Sequence, residues 1–231
     1  MPVPGSRERR RSEVTAALLA AAKKELAHVG AAGLSVRAVA REMDMAPSAL
    51  FRYISGRDEL LTLLIVDAYD DLGDHVTQVE AAVPRADLRG RWRALATAFR
   101  QWSVAHPHEY ALLYGSPVPD FHARGEDTNR AGQRVTDLLG ALAREAPRTS
   151  VPLDIVDQPD LADFVGASGA EGLDSDLVTR GVTAWTSLLG AVSAEVFEHL
   201  GADLPYEKTV FAAAAALGEW LLFGADSRLS A

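Results

Sequence analysis

SVRAVAREMDMAPSALFRYISGRDELL, residues 35–61, is the stretch on which the reading of the whole chain turns. Two short apolar-patterned segments are separated by Met43-Asp44-Met45, and a Pro-Ser step, two aromatics and further arginines follow. In the first segment Val36, Val39, Ala40 and Met43 recur at helical spacing and form one face. Ser35 stands where an N-cap hydroxyl can satisfy free N–H groups of the first turn. Pro47 suits the start of a second helix, because its missing N–H is not needed there. Leu50 and Ile54 lie four apart and must point inward together, which leaves Pro47, Ser48, Arg52 and Tyr53 to line the exposed side. Two short helices joined by a tight turn, with polar residues opening the second, make a helix-turn-helix pattern. Such a pair fits a major groove about 12 Å wide, the second helix presenting its first turn to base edges.

The residue types there suit that task. Ala46, Pro47, Ser48 and Ala49 allow close approach of the backbone; Pro47 and Ala49 can touch a thymine methyl, and the Ser48 hydroxyl can bond a base or a phosphate. Arg37 and Arg52 are long enough for bidentate contact to guanine, while Tyr53 and Arg57 suit phosphates. The plain alternative is a helical hairpin with solvated arginines, since generic helix-turn-helix spacing matches many unrelated chains.

Charge placement bears on that choice. The chain of 231 residues has a net charge of −9, yet residues 1–60 hold ten Arg or Lys against seven Asp or Glu, and the remainder thirteen against twenty-five. Local charge, not the total, governs sequence-independent attraction to DNA, so the basic front is where a nucleic acid would bind. Apolar residues make up 48% of the chain, ample for a packed core. No cysteine is present, which removes disulfides, thiolate chemistry and Cys-based metal sites, and a reducing cytoplasm is the expected compartment. No run reaches the ~18 apolar residues of a membrane span, so no membrane association is expected.

Helical periodicity dominates on either side of the opening stretch, and no alternating strand segment appears, so the expected fold is all-α. A first helix is expected over 12–29, with Val14, Leu18, Ala21, Leu26 and Val29 facing inward and Gly30 as its stop. A long helix headed by Asp58 follows the reader. Further helices are expected over 87–106, 108–114 after Pro107, 128–144, 176–200 and 206–223, with a loop at 115–125, a proline-containing connection over 146–159 and one helical turn at 161–165.

Over about residues 12–65, the string LSVRAVAREMDMAPSALFRYISGRDELL and its flanks resemble the DNA-binding signature of the TetR repressor family almost position by position. The resemblance implies an N-terminal DNA-binding domain over 1–60 and a helical ligand-binding and dimerisation domain over 61–231. It implies that Ser35, Arg37, Pro47, Ser48, Ala49 and Arg52 lie at the DNA face, and that Tyr53 and Arg57 contact its backbone. Three residues depart from the pattern. Asp44 stands at the turn position usual for Gly and must adopt a left-handed conformation less cheaply. Ala46 replaces the usual capping Ser or Thr, leaving Ser48 or Asp44 to serve free N–H groups, and Phe51 replaces a Tyr whose hydroxyl reaches a phosphate.

ALATAFRQWSVAHPHEYALLYGSPVPDF and AWTSLLGAVSAEVFEHL resemble the C-terminal domain of a TetR subgroup with a Trp, His, Gly signature. Trp185 and Gly190 match it, and Leu189 stands where the His would be. The resemblance implies that the last two helices pair with those of a second copy, and close helix approach would explain a mid-helix Gly190 that otherwise costs roughly 1 kcal/mol against Ala. Trp92, Phe99, Trp102, Tyr110, Tyr114, Phe121, Phe164 and Trp185 fall where the family builds an effector pocket. Most must be core; Phe99, Trp102, His106, Tyr110, Tyr114 and Trp185, with Arg100, are the candidate ligand contacts.

Catalysis has little support. His106 and His108 are two apart around a proline and cannot share a helix face for a metal, VGASGAEG has the wrong glycine spacing for a dinucleotide loop, and no G-x-S-x-G elbow occurs. No cofactor is expected. The function expected is a homodimeric transcriptional regulator that binds operator DNA and is released by a small-molecule effector. Its rival is a helical ligand-binding or protein-interaction dimer with weak or lost DNA affinity.

Overall fold

The computed structural model describes residues 5–121, 125–146 and 175–225. The expected turn at 161–165, Phe164, residues 147–159 of the connection expected over 146–159 and the glycine run at 165–172 lie outside the described residues. The described elements are α1 (Ser6–Gly33), α2 (Val36–Glu42), α3 (Pro47–Leu50), α4 (Arg57–Ala81), α5 (Leu88–Ala105), α6 (Pro107–Tyr114), α7 (Gly125–Glu145), α8 (Ser175–Val196), a 3-10 turn at Tyr206–Lys208 and α9 (Val210–Phe223). The fold is all-α, with no strand among the described residues.

Helix α1 starts six residues before the expected Ser12, because nothing in Arg7 to Arg11 breaks a helix, and Glu8 to Glu13 stand in solvent. Gly30 ends its regular part as expected: a φ of 67° kinks the backbone before one more helical turn. Val29 is not core but 46% exposed. Ser35 holds the N-cap position of α2 with an extended backbone, but its hydroxyl makes no capping bond, so the cap is conformational only. At the far end, α8 stops at Val196 rather than Leu200 because Glu198 turns left-handed (φ 54°). Before α9 comes a 3-10 turn, separated from it by Thr209, whose φ of −121° and ψ of −88° break the helix.

The chain divides into two compact units, one of Met1–Asp70 with His106–Ala131 and one of Asp71–Ala105 with Gly132–Ala231. In the first, Leu18, Ala22, Val39, Ala40, Leu50, Ile54, Leu60, Leu61 and Leu64 form a closed core from α1 to the first turns of α4, against which Leu112 of α6 packs. Burying side chains of this kind stabilises by about 1.5–3 kcal/mol each. In the second, α8 and α9 pack along each other and both meet α5, whose Trp92, Leu95 and Phe99 are fully buried.

Close packing is strictest where α9 crosses α5. The Trp92 indole N–H donates to the Ala215 carbonyl at 2.8 Å, and a Cβ added to Gly218 would overlap the Trp92 ring. Alanine normally gains about 1 kcal/mol over glycine in a helix, but overpacking costs about 1–3 kcal/mol. Gly218→Ala should therefore unfold at lower denaturant concentration than the parent, against the propensity trend. A gain in stability would show that the indole can shift freely.

Candidate nucleic-acid interface

Four residues of helix cannot hold themselves together, so α3 depends on its packing and its flanks. Leu50 and Ile54, 0% and 2% exposed, anchor it to the first unit's core, as their spacing predicts. Asp44 takes the left-handed conformation that the turn demands (φ 52°), so the departure from glycine is accommodated rather than avoided. Ala46 sits at the N-cap with extended backbone and without a side-chain capping bond; neither Ser48 nor Asp44 takes over that role. The first turn of α3 thus has no side-chain cap among the described residues, and Ser48 and Ala46 face solvent.

Around this turn the expected contact residues separate by environment. Arg37 and Arg52 are exposed; Arg52 has only a long 3.5 Å contact from Nε to the Ala49 carbonyl. Ser35, Pro47, Ala49 and Tyr53 are half-buried. Phe51 is 52% exposed, an apolar ring left in water beside the reader.

Arg57 is different. Its Nε donates to the Leu34 carbonyl at 3.1 Å, and Nη2 donates to the carbonyls of Ala31 and Ala32 at 2.9 and 3.0 Å. These oxygens belong to the end of α1, where carbonyls lack helical partners, so the guanidinium closes α1 onto the head of α4. Sequence reasoning placed Arg57 on the DNA backbone; the structure engages two of its three nitrogens in this clamp. Glu59 completes the corner by accepting from the Ser55 N–H at 2.6 Å. The S-G-R-D-E order sets this carboxylate one turn beyond Ser55, within reach of that backbone N–H.

Lys24 reaches Glu42 at 2.9 Å, tying α1 to α2. That hydrogen bond, with the lysine charge, holds the Glu42 carboxyl below its ordinary range.

The expected effector residues fall into two groups. In the second unit Phe99 and Trp185 have ring centroids 4.9 Å apart, and the Trp102 indole N–H donates to Asp71 at 2.7 Å. In the first unit Tyr110 and Tyr114 lie 5.1 Å apart and Tyr69 meets Tyr114 edge-on at 6.1 Å. Burial pushes both the Tyr69 and Tyr114 hydroxyls above their usual range, with the neighbouring tyrosines adding to the effect at Tyr114. His106 is the half-buried N-cap residue of α6. Arg100 is consumed by a bidentate pair with Glu195, at 2.6 and 2.8 Å, and lies over the Phe211 ring. Sequence reasoning overlooked His75, whose buried Nε2 has no hydrogen-bond partner among the described residues. Nothing in its local spacing marks it.

Residues 18–64 match the family model described as bacterial regulatory proteins, tetR family, and residues 92–217 match that of the tetracyclin repressor-like C-terminal domain. The HTH-type transcriptional regulator Rv1816 of Mycobacterium tuberculosis strain H37Rv is 39% identical over 205 residues, spanning 87% of this chain and 88% of the relative. The regulator Mb1846 of Mycobacterium bovis matches to the same extent, 39% over 205 residues. Among solved structures, the regulatory protein SCO4313 superposes with a TM-score of 0.76 at 27% identity, covering 93% of this chain and 98% of that one. A tetR-family regulatory protein from Rhodococcus RHA1, at 18% identity and a TM-score of 0.61, shares the fold over 92% of this chain and 98% of its own.

Proposed function

The chain belongs to the tetR family of DNA-binding transcriptional regulators, and from that premise we propose that it acts as a homodimeric repressor which a small molecule releases from a palindromic operator. The observation that carries this reading is the uncapped, solvent-facing first turn of α3, flanked by the exposed Arg37 and Arg52 and held from below by Leu50 and Ile54. Ser35, Pro47, Ser48, Ala49 and Tyr53, all exposed or half-buried, are the further DNA contacts in this reading. Residues 1–60 are the DNA-binding domain in this reading, and 61–231 hold the effector and the dimer contact, in the cytoplasm.

A second copy is supported by the exposed sides of α8 and α9. Gly190 has no neighbour within 4 Å of an added Cβ among the described residues, so none of them explains the glycine. Leu217 and Trp220 are 42% and 37% exposed on α9. Apolar surface of this kind, next to small residues, suits the self-complementary contact of a two-fold dimer. Two readers would then meet half-sites about 34 Å apart. An effector must prefer a conformation whose reader spacing no longer fits, since equal affinity for both states shifts nothing. Phe99, Trp102 and Trp185, with His75, whose Nε2 has no hydrogen-bond partner among the described residues, are the candidates for an effector site in the second unit; His106, Tyr110 and Tyr114 are the candidates for one in the first.

Mobility-shift measurements on the DNA upstream of the chain's own gene, at two salt concentrations, test the reading. A saturable, sequence-dependent and salt-sensitive complex is expected. Arg37→Ala and Arg52→Ala should each weaken it by about 1–3 kcal/mol and relax base preference. The missing hydroxyl at Phe51 favours the rival reading, a helical ligand-binding or protein-interaction dimer. Binding that is weak and indifferent to sequence would establish it instead.

A further inference from the structure

The turn between α2 and α3 closes as a helix stop of a defined kind. Met45 donates its N–H to the Ala40 carbonyl at 2.9 Å and Asp44 donates to that of Arg41 at 3.1 Å, with Asp44 left-handed (φ 52°). That pair of bonds around a left-handed residue is a Schellman motif, whose last residue ordinarily lays an apolar side chain back against the helix it ends. Met45 holds that last position, and Met43, at the C-cap of α2, packs against the first unit's core. An aspartate in the left-handed position is costlier than a glycine, so the motif depends the more on its apolar contacts.

Both thioethers are also within reach of solvent. Met43 and Met45 are half-buried, and they line an open groove of about 450 Å³ together with Ala17, Ala20 and Ala21 of α1 and the polar Lys24 and Glu42. The sequence holds three methionines, Met1 being the third, and no cysteine. Apart from Met1, all of its sulfur is thus gathered at the turn that seats α3. Leucine would fill much the same volume; what methionine adds there is a sulfur that an oxidant can reach.

We propose that Met43 and Met45 are a modification site: a peroxide oxidises their thioethers to sulfoxides and so unseats α3 from DNA. The proposal rests on α3 being the reading element. In the step, the sulfur lone pair attacks one peroxide oxygen, and an S–O bond forms as the O–O bond breaks. The departing hydroxide takes the proton left on the transferred oxygen and leaves as water, so sulfur loses two electrons and the peroxide gains them. The product is a polar side chain whose oxygen needs a hydrogen bond, which neither the alanines of the groove nor the apolar core behind Met43 supplies. Helix α3 has four residues and no side-chain cap among the described residues, so it has no stability of its own with which to resist a loosened turn.

The test uses the full chain, a duplex that the untreated parent selects from random sequences, and hydrogen peroxide as the oxidant. Treatment should add one oxygen atom to each of Met43 and Met45, read by mass spectrometry of the peptide that carries them, and weaken binding to the selected duplex by about tenfold or more. Methionine sulfoxide reductases A and B together, one for each sulfoxide epimer, should restore the affinity. The double variant Met43→Leu with Met45→Leu keeps Met1 and should lose little of its own affinity on the same treatment. Repair of the oxidised parent reads the effect without any substitution, so a double variant that folds poorly leaves the test standing. Oxidation of both sulfurs with affinity unchanged would overturn the proposal, as would a loss of equal size in the treated double variant. Resistance of both sulfurs to a peroxide dose that oxidises Met1 would overturn it too. An untreated parent with no preferred duplex would instead remove the reader itself, and the effect of the modification with it.

Discussion

Arg91→Ala should cost about 3–5 kcal/mol of folding stability, the largest single-residue effect expected in this protein, because it strands a buried carboxylate. Glu80 and Arg91 are each 1% exposed and joined at 2.5 Å. Arg91 also reaches Glu145 at 2.8 Å, and Arg85 donates to both Glu80 oxygens at 3.0–3.3 Å. Burial by itself would lower the Arg91 pKa, but hydrogen bonds to Glu80 and Glu145 outweigh it and hold the guanidinium above its ordinary value. With Arg91 gone, only the more exposed Arg85 remains for Glu80. Replacing both buried partners by methionine (Glu80→Met with Arg91→Met) should recover most of the loss, since a buried pair is often no better than apolar packing of like volume. Denaturant unfolding of the single and double variants decides it: a single-variant loss under about 1 kcal/mol would mean that water reaches Glu80.

Arg57→Ala should have the second largest effect, lowering DNA affinity and the stability of the first unit together. The side chain donates three hydrogen bonds at 2.9–3.1 Å to the carbonyls that end α1. Bonds with a charged donor contribute about 1.5–3 kcal/mol each in favourable cases, and neighbouring ones do not add fully, so a loss of roughly 2–4 kcal/mol is expected. The informative readout is the salt dependence of DNA binding. A clamp residue weakens binding by loosening the seat of α2 and α3, and the salt slope stays that of the parent. A phosphate contact would flatten the slope by about 0.9. Arg57→Lys separates the two again: a lysine keeps the charge but cannot span three carbonyls, so it should rescue a phosphate role and fail in the clamp.

How far sequence reading reaches is visible in α1 to α4. Leu50 and Ile54 both point inward as their spacing of four predicts, although α3 ends at Leu50 and Ile54 is carried in by the turn that follows, its N–H still donating to the Leu50 carbonyl at 3.2 Å. Asp44 is left-handed because a turn of that length requires it. The same reasoning failed where the partner mattered. Val29 fits the apolar stripe of α1 yet lies 46% exposed, since Gly30 bends the chain immediately after it. Ser35 occupies a capping position without capping, because position in the chain fixes where a hydroxyl stands and not what it meets. The six aromatic and histidine candidates for an effector share a composition but fall into different packing environments, with Phe99 and Tyr110 wholly buried.

Local spacing alone determined that this protein is helical, that residues 35–61 make a helix-turn-helix, and which side of α3 is presented, because periodicity and turn chemistry act over a few residues. The employment of its arginines was left to the tertiary structure. Arg57 meets carbonyls 23 to 26 residues away and Arg89 meets oxygens 130 and 134 residues away, whereas Arg10 and Arg37 meet none among the described residues. A guanidinium has the same five donors in every sequence context, and only the folded chain decides which oxygens come within 3 Å of them.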